Sequence, residues 1–95
     1  MTKISEAEFA AICAGISADS EKIVEHNPIG TREETLLWML LSVLNSYLNL
    51  EDADAPYFTG RPDAETFRSA IDYVLKNRRV ADFDQGPLVE KMLAL

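Results

Sequence analysis

The segment Leu36–Leu50, LLWMLLSVLNSYLNL, constrains the fold most, because eleven of its fifteen residues are apolar. Its polar exceptions share one side of a helical wheel with Thr35; they are Ser42, Asn45, Ser46 and Asn49. A bilayer crossing needs about 20 mostly apolar residues without such a polar stripe. We therefore predict a central helix of a small bundle rather than a membrane span.

Helix start and stop signals flank this segment on both sides. ISEAEF and TREE each carry a Ser or Thr followed three residues later by Glu, the pattern of a capping box. Together with Pro28, Pro62 and Pro87, the apolar spacing predicts three main helices at about 5–26, 31–50 and 63–78, and a short C-terminal helix at about 87–94. The polar run from Ser17 to Ser20 is compatible both with a break in the first helix and with a continuous helix.

These signals predict an all-α fold, a small helical bundle formed by one domain over residues 1–95. No stretch alternates apolar and polar residues for long, and no Asn-Gly or Asp-Gly hairpin dipeptide is present. Apolar residues make up 47% of the chain and charged residues 26%, which is typical of globular proteins.

Charge and cysteine content exclude several classes of function. Nine basic residues face sixteen acidic ones, for a net charge of −7, so we expect no affinity for nucleic acid or an anionic membrane surface. A basic protein partner would suit this surface. The single cysteine, Cys13, forms no internal disulfide, and the first residues do not resemble a secretory signal. We therefore expect a cytoplasmic protein.

Candidate catalytic and metal-binding residues each have a simpler structural interpretation. His26, the only histidine, falls at the predicted end of the first helix, where imidazoles bind free carbonyls. Cys13 falls on the apolar stripe of that helix and is expected to be buried. The acidic residues Glu51, Asp52 and Asp54 do not match the spacing of an EF-hand. Phosphate-loop, dinucleotide, zinc-protease and serine-hydrolase motifs are absent, so we expect no enzyme, cofactor or metal.

The segment AAICAGIS resembles the Ala-x-x-x-Gly-Ile-Ser hinge of helix-turn-helix DNA-binding domains. The resemblance covers about seven residues and implies that ADSEKIVEH would be a recognition helix. That helix would present Asp19, Glu21 and Glu25 to phosphates, and the position of the expected apolar anchor is Glu21. DNA binding is therefore the weakest of the functional hypotheses.

Residues typical of protein interfaces occur on the second predicted helix and in the loop that follows it. Trp38 and Met39 fall outside the main apolar arc, and we predict a homodimer in which they contact a second subunit. The full predicted interface is Trp38, Met39, Ser42, Asn45, Tyr57, Phe58 and Arg61. An interaction or adaptor module is thus the leading hypothesis.

Two alternatives stay open for the loop residues. Tyr57 and Phe58 would fold back over the end of the bundle if the core needs them. The loop at 56–62 and the second helix would alternatively enclose a small-molecule pocket of an enzyme-accessory domain. Ser42, Asn45 and Asn49 would then orient a ligand, and Arg61 would pair with an anionic group.

Overall fold

The computed structural model describes residues 4–26, 30–48, 63–77 and 83–94. Within these ranges the chain forms helices and no strand, so the all-α prediction is confirmed. The helices are α1 (Glu6–Ala18), α2 (Ser20–His26), α3 (Arg32–Leu48), α4 (Ala64–Asp72), which continues into a π-helical turn (Tyr73–Asn77), and α5 (Gly86–Leu93).

Local hydrogen bonds fix the starts of α1 and α3 where the sequence predicts them. At α1 the Glu8 N–H donates to Ser5 Oγ at 3.1 Å, and the Ser5 hydroxyl donates to the Glu8 carboxylate. At α3 the pairing is reciprocal, since Thr31 N–H donates to Glu34 Oε1 and Glu34 N–H donates to Thr31 Oγ1. Both capping boxes are therefore confirmed.

The predicted first helix consists of two helices. Asp19 interrupts it with φ −100° and ψ 11°, so α1 ends at Ala18 and α2 begins at Ser20. The backbone stays hydrogen-bonded across the interruption, because Asp19 N–H donates to Gly15 O at 3.2 Å and Ile23 N–H donates to Asp19 O at 3.0 Å. The interruption at Asp19 thus leaves these backbone groups paired.

Helix α3 is central, as predicted, and contacts α1, α2 and α4, while α5 packs on α1. Its side chains Leu36, Leu37, Leu40, Leu41 and Leu44 are fully buried. The other helices contribute Phe9, Cys13, Ile16, Phe67, Ala70, Ile71, Val74, Val89 and Met92 to the same core.

Thr35 departs from the predicted polar stripe, because it is fully buried. Its hydroxyl donates to Thr31 O at 2.9 Å, so the polar group has a partner inside its own helix. Burial at this position therefore needs no second polar side chain. The neighbours of α3 wrap farther around its first turns than a helical wheel indicates.

Polar contacts at the protein surface connect α5 to the rest of the bundle. The Arg68 guanidinium of α4 pairs with Glu33 of α3 at 2.7 Å and with Glu90 of α5, and these contacts raise the pKa of Arg68. Ser17 Oγ donates to Met92 O at 3.1 Å, close to the C-terminal end of α5. Because the Arg68 pairs are largely exposed, they fix geometry more than they add stability.

Asp63 gives the fold a defined response to acid. Its carboxylate accepts hydrogen bonds from Thr66 N–H and the Thr66 hydroxyl, both at 2.8 Å, and these bonds lower the pKa of Asp63 below the ordinary 3.8. The folded state therefore binds fewer protons than the unfolded state in this range. The stability that these hydrogen bonds contribute is fully present above pH 3.8, and it is lost as the pH falls through the lowered pKa of Asp63.

We expect Asp63→Asn to reduce the loss of stability in acid, because Asn caps a helix without titrating. Urea unfolding at a series of acidic pH values measures this effect. Glu65→Gln is the matched control, since it removes a carboxylate from the same turn without touching Thr66. Equal acid sensitivity of Asp63→Asn and wild type would contradict the assignment.

Candidate functional site

An uncharged, apolar surface lies on the side of α3 that faces away from the buried leucines. Met39, Ser42, Val43 and Ser46 line a shallow depression of about 480 Å³ there. A second depression of about 360 Å³ lies beside it, between α3 and the first two helices. Its lining residues are Ala11, Ile12, Gly15, Ile16, Asp19, Ile23, Met39 and Val43.

The two depressions share Met39 and Val43, so they form one continuous surface, here called the α1–α3 groove. Its larger apolar side chains are held in place from below, because Ile12, Ile23, Met39 and Val43 are partly buried against the core. A groove whose walls are fixed by core packing loses little side-chain entropy when a partner binds.

The α1–α3 groove is shallow, and large hydrophobic side chains do not protrude from it. Among the described residues, only Tyr73 is a large hydrophobic side chain exposed beyond a third, at 38%, and it belongs to the π-helical turn. The groove is therefore shaped to receive apolar side chains from another molecule.

Gly15 lies in the wall of the groove and has no role in the packing of its own chain. A Cβ atom built at this position meets no neighbouring atom within 4 Å, and the backbone is helical. Glycine in a helix interior costs about 0.5–1 kcal/mol relative to alanine. Since the chain itself does not require it, Gly15 is consistent with close approach of a partner's backbone.

Gly15→Ala should therefore raise the free energy of unfolding of the monomer by about 0.5–1 kcal/mol. Denaturant unfolding at low protein concentration measures it without a contribution from association. Gly30→Ala is the contrasting variant, because Gly30 has φ +69° and a Cβ there would lie 2.9 Å from Glu34 Oε1. We expect it to destabilise. A loss of stability in Gly15→Ala would show that the folded monomer itself requires glycine at this position.

Charges surround the groove unevenly. From Thr35 to Leu48, α3 carries no charged residue. The segment 6–26 of α1 and α2 carries one lysine, Lys22, against five exposed carboxylates, which are Glu6, Glu8, Asp19, Glu21 and Glu25. One side of the groove is thus neutral, whereas the other side belongs to an acidic segment in which Asp19 is the charged lining residue.

The structure brings only part of the predicted interface together. Met39 and Ser42 line the groove, whereas Trp38, one turn before Ser42 on α3, is partly buried against the core and is not among the lining residues of the two depressions. The side chain of Asn45 lies outside the described part of the chain. The same holds for Tyr57, Phe58 and Arg61, and hence for the alternative pocket at 56–62, which stays a prediction.

The contribution of α1 and α2 to the groove is absent from the sequence-based prediction. Ile12, Ile16 and Ile23 lie in this wall of the groove, and Ile12 and Ile23 are only partly buried. The available signal was Gly15, a residue that weakens a helix interior without marking a turn.

Cys13 and His26, the candidate nucleophile and base, are placed as their structural interpretation predicts. Cys13 is 4% exposed, and burial raises the pKa of its thiol to about 11, which disfavours the reactive thiolate. His26 Nδ1 lies 2.9 Å from Lys22 O, the helix-end carbonyl contact that the sequence predicts. Among the described residues, the structure therefore places no partner for nucleophilic catalysis beside Cys13 or His26.

The described ranges also bear on membrane spans and metal sites. No helix in them combines the length and hydropathy of a membrane span. No group of three or more His, Cys, Asp or Glu side chains in them is placed to hold a metal ion. Comparisons with models of protein families, with curated proteins and with solved structures find no match to this chain.

Proposed function

We propose that this chain is a homodimeric protein-interaction module, cytoplasmic and without catalytic activity of its own, that associates through the α1–α3 groove. The observation that carries the proposal is the continuity of the groove over three helices, from Ile12 and Ile23 to Met39 and Val43. A continuous apolar surface with polar residues at its rim supports an interaction site here.

Charge favours a contact centred on α3. Each chain carries a net charge of −7, so two copies repel unless their carboxylates stay apart or in water. A two-fold axis near Met39 and Val43 places the uncharged sides of the two α3 helices against each other. The acidic α1 and α2 segments then lie toward the periphery of the dimer, where solvent screens them.

The polar residues of α3 fit the same arrangement. Ser46 is exposed and Ser42 is partly buried. Small hydroxyl groups at an interface rim pair across the two-fold axis or bind water. In both cases the hydroxyl group keeps a hydrogen-bond partner. The α3 side of the groove can therefore be covered by a second copy without the cost of burying charge.

Ser46→Glu tests the proposal directly. This exposed position in the groove should tolerate Glu in the monomer, whereas in the dimer the carboxylate would be desolvated opposite another acidic chain. We expect sedimentation to shift from dimer toward monomer with an unchanged circular dichroism spectrum.

Ser69→Glu is the matched control, because Ser69 is an exposed serine on α4 and the substitution adds the same charge. It should leave the dimer intact. Equal sedimentation of wild type, Ser46→Glu and Ser69→Glu as dimers would place the interface elsewhere.

A further inference from the structure

The acidic side of the α1–α3 groove has no counterpart on a second copy of the same chain. Asp19 is part of the groove lining, and Glu8 lies one turn before the lining residues Ala11 and Ile12. In a homodimer these carboxylates add repulsion. Basic side chains of a different protein would instead be attracted to them.

The wall formed by α1 also favours a helical partner. Ala11 and Gly15 both line the groove and are four residues apart, so they lie above one another on the helix surface. Neither carries a side chain longer than a methyl group, and a Cβ at Gly15 would meet no atom within 4 Å. A helix crossing α1 at this point can approach closely enough to insert apolar side chains between Ile12, Ile23 and Met39.

We propose that the α1–α3 groove binds an amphipathic helix of a second protein, with its apolar face in the groove and its basic flank beside α1 and α2. The inference rests on the interaction function proposed above and names its partner class. Helix-in-groove recognition uses apolar residues at i, i+3 or i+4 and i+7, which match a groove that runs along three helices. The basic flank supplies charge complementarity to Glu8 and Asp19.

This partner competes with the second copy for Met39 and Val43. The two associations respond differently to salt. Salt screens the repulsion between acidic chains, so dimerisation is unchanged or strengthened, whereas the attraction of a basic helix is weakened. Salt dependence therefore separates the two claims experimentally.

The test uses the full chain and a synthetic peptide of about 14 residues, with Leu at i, i+3, i+7 and i+10 and Lys or Ala elsewhere. Binding is followed by the fluorescence of Trp38, the only tryptophan, and by calorimetry. A peptide with Glu in place of each Lys is the control ligand. We expect saturable binding of the basic peptide, dissociation of the dimer at saturation, and no binding of the acidic peptide.

Matched protein variants locate the site. Glu8→Gln combined with Asp19→Asn should weaken peptide binding about two- to tenfold at low salt and reduce its salt dependence. Gln and Asn are compatible with the capping positions that these residues occupy. Glu65→Gln combined with Asp84→Asn removes the same charge from α4 and the start of α5, and should leave binding unchanged. Gly15→Gln, which fills the open space, should weaken binding about tenfold or more.

The possible failures are distinguishable. A wild-type dimer that does not bind the basic peptide overturns this inference and leaves the homodimer in place. Binding that is equally weakened by both double variants, or is unaffected by Gly15→Gln, also overturns it, since the peptide then responds to net charge rather than to the groove. A wild type that sediments as a monomer overturns the homodimer, whatever the peptide does.

Discussion

Leu44→Ala should lower the free energy of unfolding by about 2–5 kcal/mol. Leu44 is fully buried in the centre of the α3 face that contacts the rest of the core. Truncation removes the transfer free energy of the lost methyl and methylene groups and leaves a cavity. The surrounding helices close this cavity only partly, because each is held in place by several neighbours. The loss is a large fraction of the roughly 5–14 kcal/mol expected for a domain of this size.

Urea unfolding followed by circular dichroism measures the effect of Leu44→Ala. Ser69→Ala, an exposed substitution on α4 outside the groove, is the control and should change stability by less than about 0.5 kcal/mol. A loss of under about half a kcal/mol for Leu44→Ala would mean that this face of α3 is not the core.

Trp38→Glu should dissociate the dimer, with a loss of at least about 2 kcal/mol in association free energy, or about thirtyfold in the dissociation constant. Trp38 lies one turn before the groove residue Ser42 and is only partly buried, so a second subunit seated on the groove would cover its exposed part. The substitution removes an aromatic contact and adds a charge that the dimer would desolvate.

Trp38→Phe is the conservative control, because it keeps an aromatic, apolar side chain and should remain dimeric at micromolar concentration. Trp38 also packs on the core, so thermal unfolding of both variants is measured beside sedimentation. A folded, dimeric Trp38→Glu would assign Trp38 to the core alone.

The helices were predictable because their determinants are local. The pairs Ser5–Glu8 and Thr31–Glu34 each set a helix start within four residues, and the structure contains the corresponding hydrogen bonds. The break at Asp19 was only indicated. There, short polar residues compete with helix continuation, and tertiary packing of α1, α2 and α3 decides the outcome.

The groove was only half predictable, for a geometric reason. Met39 and Ser42 could be placed on an outer face of α3 from helical periodicity alone. Which parts of that face are covered depends on where α1 and α2 lie, and a helical wheel does not contain this information. Thr35 illustrates the limit, since it shares the polar side of the wheel with Ser42 and yet is fully buried.

Self-association through the α1–α3 groove is the central claim, and sedimentation equilibrium of the wild-type chain tests it most directly. Over about 1 to 300 µM, a dimer should return about twice the 10.6 kDa chain mass, with dissociation only toward the dilute end. A mass of one chain at every concentration would contradict the claim.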